Sequence, residues 1–175
     1  MDKTSTLYRD FLQILREELV PAMGCTEPIA LAYGAAVARN TLGSLPERVL
    51  VQVSGNLIKN VKSVIVPNTG GLRGIPAAVA AGIVAGDEKR MLVVIASVTP
   101  QQKQEILDYL NRHLISVEAA RTELTFDYIV TMWAKEDVVT LRIANYHTNI
   151  VHLEKNGEVL IDVPIDGEKE VNLID

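Results

Sequence analysis

Cysteine and aromatic residues are scarce in this sequence of 175 residues. It contains one cysteine, Cys25, and one tryptophan, and aromatic residues make up 5% of the chain. A single cysteine cannot form an internal disulfide bond, which excludes the disulfide frameworks of small secreted proteins. The first residues, Met1-Asp2-Lys3, show no signal-peptide pattern. We therefore expect a cytoplasmic protein whose only thiol is free.

Clusters of basic residues and uninterrupted apolar runs are also missing. The 17 lysine and arginine residues are scattered and the net charge is -5, whereas a nucleic-acid surface needs concentrated positive charge. The most apolar stretch, Ile75 to Val98, is interrupted by the charged residues Asp87-Glu88-Lys89-Arg90, which would be costly in hydrocarbon. The sequence therefore predicts neither a nucleic-acid partner nor a membrane span.

Helices are predicted in the first part of the chain. Hydrophobic residues make up 48% of the sequence, enough for one compact unit. Helical spacing predicts an amphipathic helix over Thr4 to Leu19, and an alanine-rich, mostly buried helix is predicted over Ile29 to Leu42. A third helix-forming segment is Ile75 to Val84. The fourth predicted helix starts at Thr99-Pro100, where a cap and a proline stand at capping-box spacing from a glutamine, and runs to about His113.

Strands are predicted in the last part of the chain, with one earlier strand over Glu47 to Val53. From Ile115 onward β-branched residues become frequent, and Asn156-Gly157 is the two-residue signal of a β-hairpin. The predicted meander comprises Phe126 to Trp133, Val138 to Asn145, Ile150 to Lys155 and Glu158 to Val163. We therefore predict an α+β fold in one unit, with a helical part over about 1-114, an antiparallel β-meander of about four strands within about 115-165, and a polar tail at 166-175.

The cysteine lies in the turn Pro21-Ala22-Met23-Gly24-Cys25-Thr26-Glu27-Pro28. Thr26 is predicted to cap the following helix, with Pro28 in its first turn. Cys25 then precedes the cap, where unpaired N–H groups and the positive end of the helix dipole favour a thiolate. The alternative is a small buried cysteine in the core. Glu27 is either a proton carrier beside the thiol, a partner that supports the cysteine, or simply an acidic residue that suits the helix dipole.

The loop Pro67 to Gly74 is a second candidate region. It contains three glycines and leads into a predicted helix, and the backbone N–H groups of such loops bind anions. Neither the phosphate-loop pattern nor the dinucleotide fingerprint fits it. The loop is therefore either a carboxylate-binding element or a tight connection between two packed elements.

The three histidines, His113, His147 and His152, show no metal-binding spacing, and one cysteine cannot complete a zinc or iron–sulfur site. His147 follows a predicted strand among hydrogen-bonding side chains, and histidine titrates near neutrality, so His147 is a candidate for proton transfer. A protease-like pair of Cys25 and His147 has the right order but no catalytic-cysteine signature.

Two asparagines, Asn56 and Asn60, stand four residues apart on a possible helical turn. At that spacing both side chains lie on one face of a helix. They either hydrogen-bond one polar ligand or simply close the turn.

The segment Glu18-Leu19-Val20-Pro21-Ala22-Met23-Gly24-Cys25-Thr26-Glu27-Pro28-Ile29-Ala30 resembles the N-terminal signature of the L-cysteine desulfidases and their relatives, the serine-dehydratase alpha-subunit-like proteins. The order of later features is similar too. Ser54-Gly55-Asn56 is followed by Lys59-Asn60, the Pro67 to Gly74 loop precedes an alanine-rich helix, and His147 to Val151 precedes an Asn-Gly hairpin.

The resemblance implies a pyruvate-forming lyase with an oxygen-sensitive [4Fe-4S] cluster, in which one iron acts as Lewis acid on the leaving group of L-cysteine or L-serine. It implies that Cys25 is one cluster ligand and that Glu27 and His147 take part in catalysis. By position, the residues that it implies for substrate binding are Thr26, Asn56, Asn60, Thr69 and Gly70.

The sequence departs from that family because no cysteine follows Cys25, whereas the family's remaining cluster cysteines lie in a long C-terminal part. We therefore predict an N-terminal portion that alone neither holds the cluster nor turns over substrate. Its expected partner is a C-terminal cluster-binding segment, of the same protein or of another subunit. The alternative is a stand-alone amino-acid-binding or partner-docking module without catalysis.

Overall fold

The computed structural model describes residues 24-165; the predicted helix over Thr4 to Leu19 and the predicted tail 166-175 lie outside the described residues. Within this range the helices are α1 (Thr26–Leu42), α2 (Gly55–Val61), α3 (Gly74–Ala85) and α4 (Pro100–Asn111), and a 3-10 helix spans Glu88–Val93. The strands are β1 (Arg48–Val53), β2 (Ile115–Ala119), β3 (Asp127–Ala134), β4 (Asp137–Ala144), β5 (Ile150–Lys155) and β6 (Glu158–Asp162).

All of these strands form one mixed sheet in the order β2-β1-β3-β4-β5-β6. β1 and β2 pair in parallel, and each other neighbouring pair is antiparallel. The chain passes from β1 through α2, α3 and α4 to its parallel neighbour β2, as a parallel pair requires, and then returns as the meander β3 to β6. The α+β fold predicted from the sequence is therefore confirmed, and the four predicted meander strands are present.

The sheet has six strands rather than about four. The predicted strand over Glu47 to Val53 is present as β1, and because it pairs with β3 it belongs to the same sheet as the meander. β2 has no clear signal in the sequence. It lies at the sheet edge and is exposed along most of its length, so it lacks the alternation of apolar and polar residues that marks a half-buried strand.

Helix α1 lies between the sheet and α3. It contacts β3 and β4 on one side and α3 on the other, and every residue from Pro28 to Ala36 is buried. The Tyr128 hydroxyl of β3 donates a hydrogen bond of 3.1 Å to the Leu31 carbonyl oxygen of α1. Fully buried aliphatic side chains cover the facing side of the sheet, among them Val49, Val51, Val130, Leu141 and Ile143. The core therefore fixes both the position and the rotation of α1.

The contact between α1 and α3 depends on small residues. Gly82 of α3 faces the backbone of Ala32 in α1, and a Cβ atom at position 82 would overlap the Ala32 carbonyl oxygen. Backbone atoms cannot move aside by a rotamer change, so this approach requires glycine. Close packing of the two helices therefore depends on the missing side chain at Gly82.

Gly82→Ala is expected to destabilise the protein by about 3 kcal/mol, at the upper end of the range for overpacked cores, because α1 and α3 must separate. Gly55→Ala is the matched control, since a Cβ at Gly55 meets nothing within 4 Å, and it should leave stability unchanged or raise it slightly. Urea denaturation followed by circular dichroism measures both. Equal stability of the two variants would contradict the close packing of α1 and α3.

Candidate functional site

Five side chains that the sequence analysis named meet at the N-terminal end of α1. Cys25 lies immediately before the helix, and Thr26 and Glu27 form its first turn. Asn60 lies near the end of α2, and His147 lies in the loop between β4 and β5. The residues thus come from three separate parts of the chain, and the fold brings them together.

The Glu27 carboxylate connects two of these side chains. The Cys25 thiol donates to Glu27 Oε2 over 2.9 Å, and Asn60 Nδ2 donates to Glu27 Oε1 over 3.3 Å. Both carboxylate oxygens therefore have a donor from the protein, one from the residue directly before α1 and one from α2.

His147 completes the cluster from the other side. Its Nε2 atom lies 3.2 Å from the Thr26 hydroxyl oxygen, and its ring meets the Phe126 ring edge-to-face, with centroids 4.9 Å apart and planes at 62°. The negative charge of Glu27 acts on His147, and the two groups influence each other's protonation. The imidazole therefore has fixed partners and an acidic neighbour.

Thr26 does not cap α1, which corrects the sequence prediction. The helix begins at Thr26, and Cys25 occupies the N-cap position without a side-chain capping bond. Because Thr26 is already inside the first turn, its hydroxyl is directed to the imidazole of His147 instead of to its own helix. The start of α1 thus has no side-chain cap, and the Thr26 hydroxyl connects it to the β4–β5 loop instead.

The protonation state of Cys25 also differs from the expectation. Partial burial, the hydrogen bond to Glu27 and the negative charge of Glu27 raise the pKa of the Cys25 thiol, and a backbone hydrogen bond opposes them only in part. Partial burial and the carboxylate next to the thiol together outweigh the helix N-terminus, so the pKa of Cys25 is raised and Cys25 is a neutral thiol at neutral pH, not the predicted thiolate. A neutral thiol is also what the bond to Glu27 Oε2 requires, since it must donate.

The two proton acceptors of the site are available near neutrality. The hydrogen bond from Cys25, with a smaller one from Asn60, lowers the pKa of Glu27, which stays ionised. Partial burial lowers the pKa of His147, and the charge of Glu27 only partly offsets this effect. The arrangement therefore combines a thiol donor, a carboxylate and a neutral imidazole that can accept a proton.

The remaining predicted site residues lie apart from this network. Asn56 is exposed on α2, and no hydrogen bond joins it to the cluster within residues 24-165. Thr69 is buried, donates to the Val66 carbonyl oxygen over 2.8 Å and accepts from the Leu72 N–H over 3.2 Å. Gly70 has a φ of 79° and faces Lys103. Thr69 thus closes the loop itself, as a tight connection would require.

Two residues of the site have no signal of their own in the sequence. Phe126 precedes β3 and resembles any other core aromatic, although its ring contacts His147. Ser54 accepts from the Leu57 N–H as the N-cap of α2 and donates to the Thr125 carbonyl oxygen, which ties the start of α2 to the start of β3. The support that these two residues give to the site is visible only from their contacts with distant parts of the chain, which the sequence does not show.

The described part of the chain does not fit an iron–sulfur cluster by itself. It contains no group of three or more His, Cys, Asp and Glu side chains that could hold a metal ion. The chain has one thiol, whereas such clusters are usually held by four thiolates. Separately, none of the helices described is long and apolar enough to cross a membrane.

Comparison with known proteins finds relatives that are named UPF0597 proteins. A UPF0597 protein of Desulfitobacterium hafniense is 55% identical over 160 residues, which cover 91% of this chain and 37% of the relative. UPF0597 proteins of Fusobacterium nucleatum and Treponema denticola are 45% and 40% identical over 94% and 96% of this chain, and 39% and 38% of their own lengths. The chain is similar to the UPF0597 proteins. It spans 37–39% of the length of these relatives, and no family model and no solved structure matches it.

These relatives overturn the family assignment made from the sequence. They match nearly the whole chain at 40–55% identity and are named UPF0597 proteins, not L-cysteine desulfidases or serine-dehydratase-like proteins. The assignment to the N-terminal portion of that iron–sulfur lyase family is therefore wrong. The relatives' names state no activity, ligand or cofactor, so the function has to be argued from the site.

Cys25 is expected to react slowly with iodoacetamide near neutral pH, because the reactive species is the thiolate and Glu27 disfavours it. Glu27→Gln removes the negative charge, lowers the pKa of the thiol and should accelerate alkylation several-fold. Glu105→Gln, which removes an exposed carboxylate on α4, should leave the rate unchanged. Mass spectrometry of timed samples gives the rates, and an equal or slower reaction of Glu27→Gln would contradict the effect of Glu27 on the thiol.

Acidification is expected to destabilise the fold through His147. Its folded pKa lies below the ordinary value of 6.5, so the unfolded chain binds the proton more tightly than the native state. The contribution to stability is complete above pH 6.5 and is lost as the pH falls through the folded pKa. Glu27, with a pKa lowered from 4.5, loses its contribution in the same direction at lower pH.

The urea midpoint should therefore fall between about pH 7.5 and about pH 5, and less steeply in His147→Asn. His113→Asn is the control, because His113 is exposed and asparagine tolerates its positive φ. An unchanged pH dependence in His147→Asn would show that His147 does not titrate as its burial predicts.

Proposed function

We propose that this site binds L-cysteine or L-serine and takes part in a β-elimination that forms pyruvate, ammonia, and sulfide or water. The observation that carries the proposal is the juxtaposition of Cys25, Glu27 and His147 at the start of α1. It does not depend on a family assignment. The activity concerns the whole protein, since the chain spans 37–39% of its relatives' length.

The charges of the site suit a small amino acid. The Glu27 carboxylate attracts the α-ammonium group, and the N-terminal N–H groups of α1 with the helix dipole attract the α-carboxylate. Cys25 and Asn60 are exposed, so a small polar molecule can reach the carboxylate. The α-ammonium and α-carboxylate groups of an amino acid thus each have a site of opposite charge within one turn of α1.

The chemistry needs a base that can also return its proton. In the proposed reaction neutral His147 takes the α-proton, the C–H electron pair forms the α,β double bond, and the C–S or C–O bond breaks with its pair on the leaving group. The imidazolium gives its proton to the leaving group, which departs as hydrogen sulfide or water. The 2-aminoacrylate tautomerises to an imine, and water hydrolyses the imine to pyruvate and ammonia.

A [4Fe-4S] cluster is proposed for the complete enzyme only, with Cys25 as one ligand. The residues described here do not fit such a cluster on their own, so no step is derived through it. We expect iron and acid-labile sulfide to be absent at cluster stoichiometry from the purified 175-residue chain. Elemental analysis of anaerobically reconstituted protein tests this, and a stoichiometric cluster in the isolated chain would contradict it.

A second candidate is an amino-acid-binding or partner-docking module without catalysis. The observation that favours it is the neutral, hydrogen-bonded state of the Cys25 thiol, which is poorly suited to attack or to bind a metal until it loses its proton. Under this alternative the partner is a C-terminal segment of the same protein or another subunit. For both candidates we propose that the protein works in the cytoplasm.

Isothermal titration of the chain with L-cysteine and L-serine tests the site. Asn60→Ala removes a partner of Glu27 and should weaken binding several-fold, whereas Asn56→Ala, one turn earlier on α2 and outside the network, should not. Pyruvate formation is measured in the full-length Desulfitobacterium hafniense relative, with substitutions at the positions aligned to Glu27 and His147. Amino-acid binding together with pyruvate formation supports the lyase, and binding without pyruvate formation supports the module. If neither binding nor pyruvate formation is observed, both candidates are overturned.

A further inference from the structure

We infer that Phe126 is a positioning residue of the proposed site, which holds the imidazole of His147 against Thr26. The inference rests on the proposed function, because it assigns the residue that orients the proposed base. Phe126 lies immediately before β3, outside the cluster of polar side chains, and belongs to the buried core. It therefore acts on the site through His147 and not through a ligand.

The backbone of Phe126 fixes the base of the loop that carries His147. Its carbonyl oxygen accepts from the Asn145 N–H over 3.0 Å, directly after the end of β4. The loop then closes on Ala144, whose carbonyl oxygen accepts from the Tyr146 N–H over 2.9 Å and from Asn149 Nδ2 over 2.9 Å. The start and the end of the loop are thus tied to the same point on β4, and this point is tied to Phe126.

The side chain of Phe126 fixes the imidazole itself. Phe126 is 8% exposed, so its ring is held by the core, and it meets the His147 ring edge-to-face at 4.9 Å. Edge-to-face contact at this distance is a preferred geometry of aromatic pairs. With the ring against Phe126 and Nε2 against the Thr26 hydroxyl, both side-chain dihedral angles of His147 are determined.

A fixed ring orientation matters because a general base must lie within hydrogen-bond reach of the proton that it takes. The Thr26 hydroxyl can donate to His147 Nε2 or accept from it, so this contact holds the ring in place under either tautomer. If the ring turned away from Phe126, Nε2 would leave Thr26 and the imidazole would no longer face the start of α1. The contact with Phe126 thus fixes the position of the proposed base.

The test uses Phe126→Leu in the full chain and records NMR nuclear Overhauser effects between the His147 ring protons and the Thr26 side chain. The wild-type chain should show this contact, and Phe126→Leu should lose most of its intensity. Phe126→Tyr keeps the ring edge and should restore the contact. Tyr109→Leu is the matched control, since it truncates another buried aromatic, bonded to the Pro46 carbonyl oxygen far from His147, and should leave the contact unchanged.

Each outcome decides the inference. An unchanged contact between His147 and Thr26 in Phe126→Leu, or a loss of that contact in Tyr109→Leu as well, overturns the role of Phe126, since the effect would be absent or only a consequence of lower stability. If Phe126→Leu does not fold, Phe126→Met is measured in its place with the same expectation. The NMR signal requires no ligand, so a wild-type chain that binds no amino acid but shows the expected contact contradicts the proposed function alone.

Discussion

The burial of α1 between the sheet and α3 is the constraint on which the rest of the structure depends. A helix whose residues from Pro28 to Ala36 are all buried has no freedom to rotate or slide, because any shift would expose apolar surface and overlap the backbone at Gly82. The first turn of this helix carries Cys25, Thr26 and Glu27. The chemistry of the site is therefore placed on a firmly held helix, although the site itself is at the surface.

The other half of the site is anchored by one partly buried ion pair. Asp127, fully buried at the start of β3, accepts from Arg142 Nε and Nη2 of β4 over 2.9 and 2.7 Å. A buried carboxylate without its partner would be strongly destabilising, so β3 and β4 stay in register here. The Asp127 carbonyl oxygen also accepts from the N–H of Ser54, the cap of α2. One pair thereby holds Phe126, which precedes Asp127, and the helix that carries Asn60.

Local signals in the sequence were enough for most of the fold but not for the sheet as a whole. The capping box at Thr99 and Gln102 is present as predicted, and the Asn156-Gly157 turn joins β5 to β6, because each depends only on neighbouring residues. β2 has no signal in the sequence because an exposed edge strand is defined by the strand with which it pairs and not by its own pattern. Its partner β1 is distant in the sequence, since Val49 pairs with Ile115. The same holds for Phe126, whose role depends on a loop from another strand.

The site shows a similar division between local and long-range causes. The turn around Cys25 correctly indicated a helix start, and the positions of Glu27, Asn60 and His147 around it agree with their selection as candidates. The prediction of a thiolate is wrong because it weighed the helix dipole without the partial burial of the thiol and without its hydrogen bond to the carboxylate two residues further on. Burial is the larger of the two effects and the hydrogen bond adds to it, so the immediate surroundings of Cys25 decide the state of the thiol.

The electrostatics of the cluster depend on Glu27 more than on any other residue. Its negative charge opposes ionisation of Cys25 and favours protonation of His147, so it favours the protonated form of both neighbours. A cationic ligand group that neutralised Glu27 would reverse both effects at once, making the thiol easier to ionise and the imidazole a weaker base. The charge of whatever binds at the start of α1 therefore sets the protonation of the two groups that flank it.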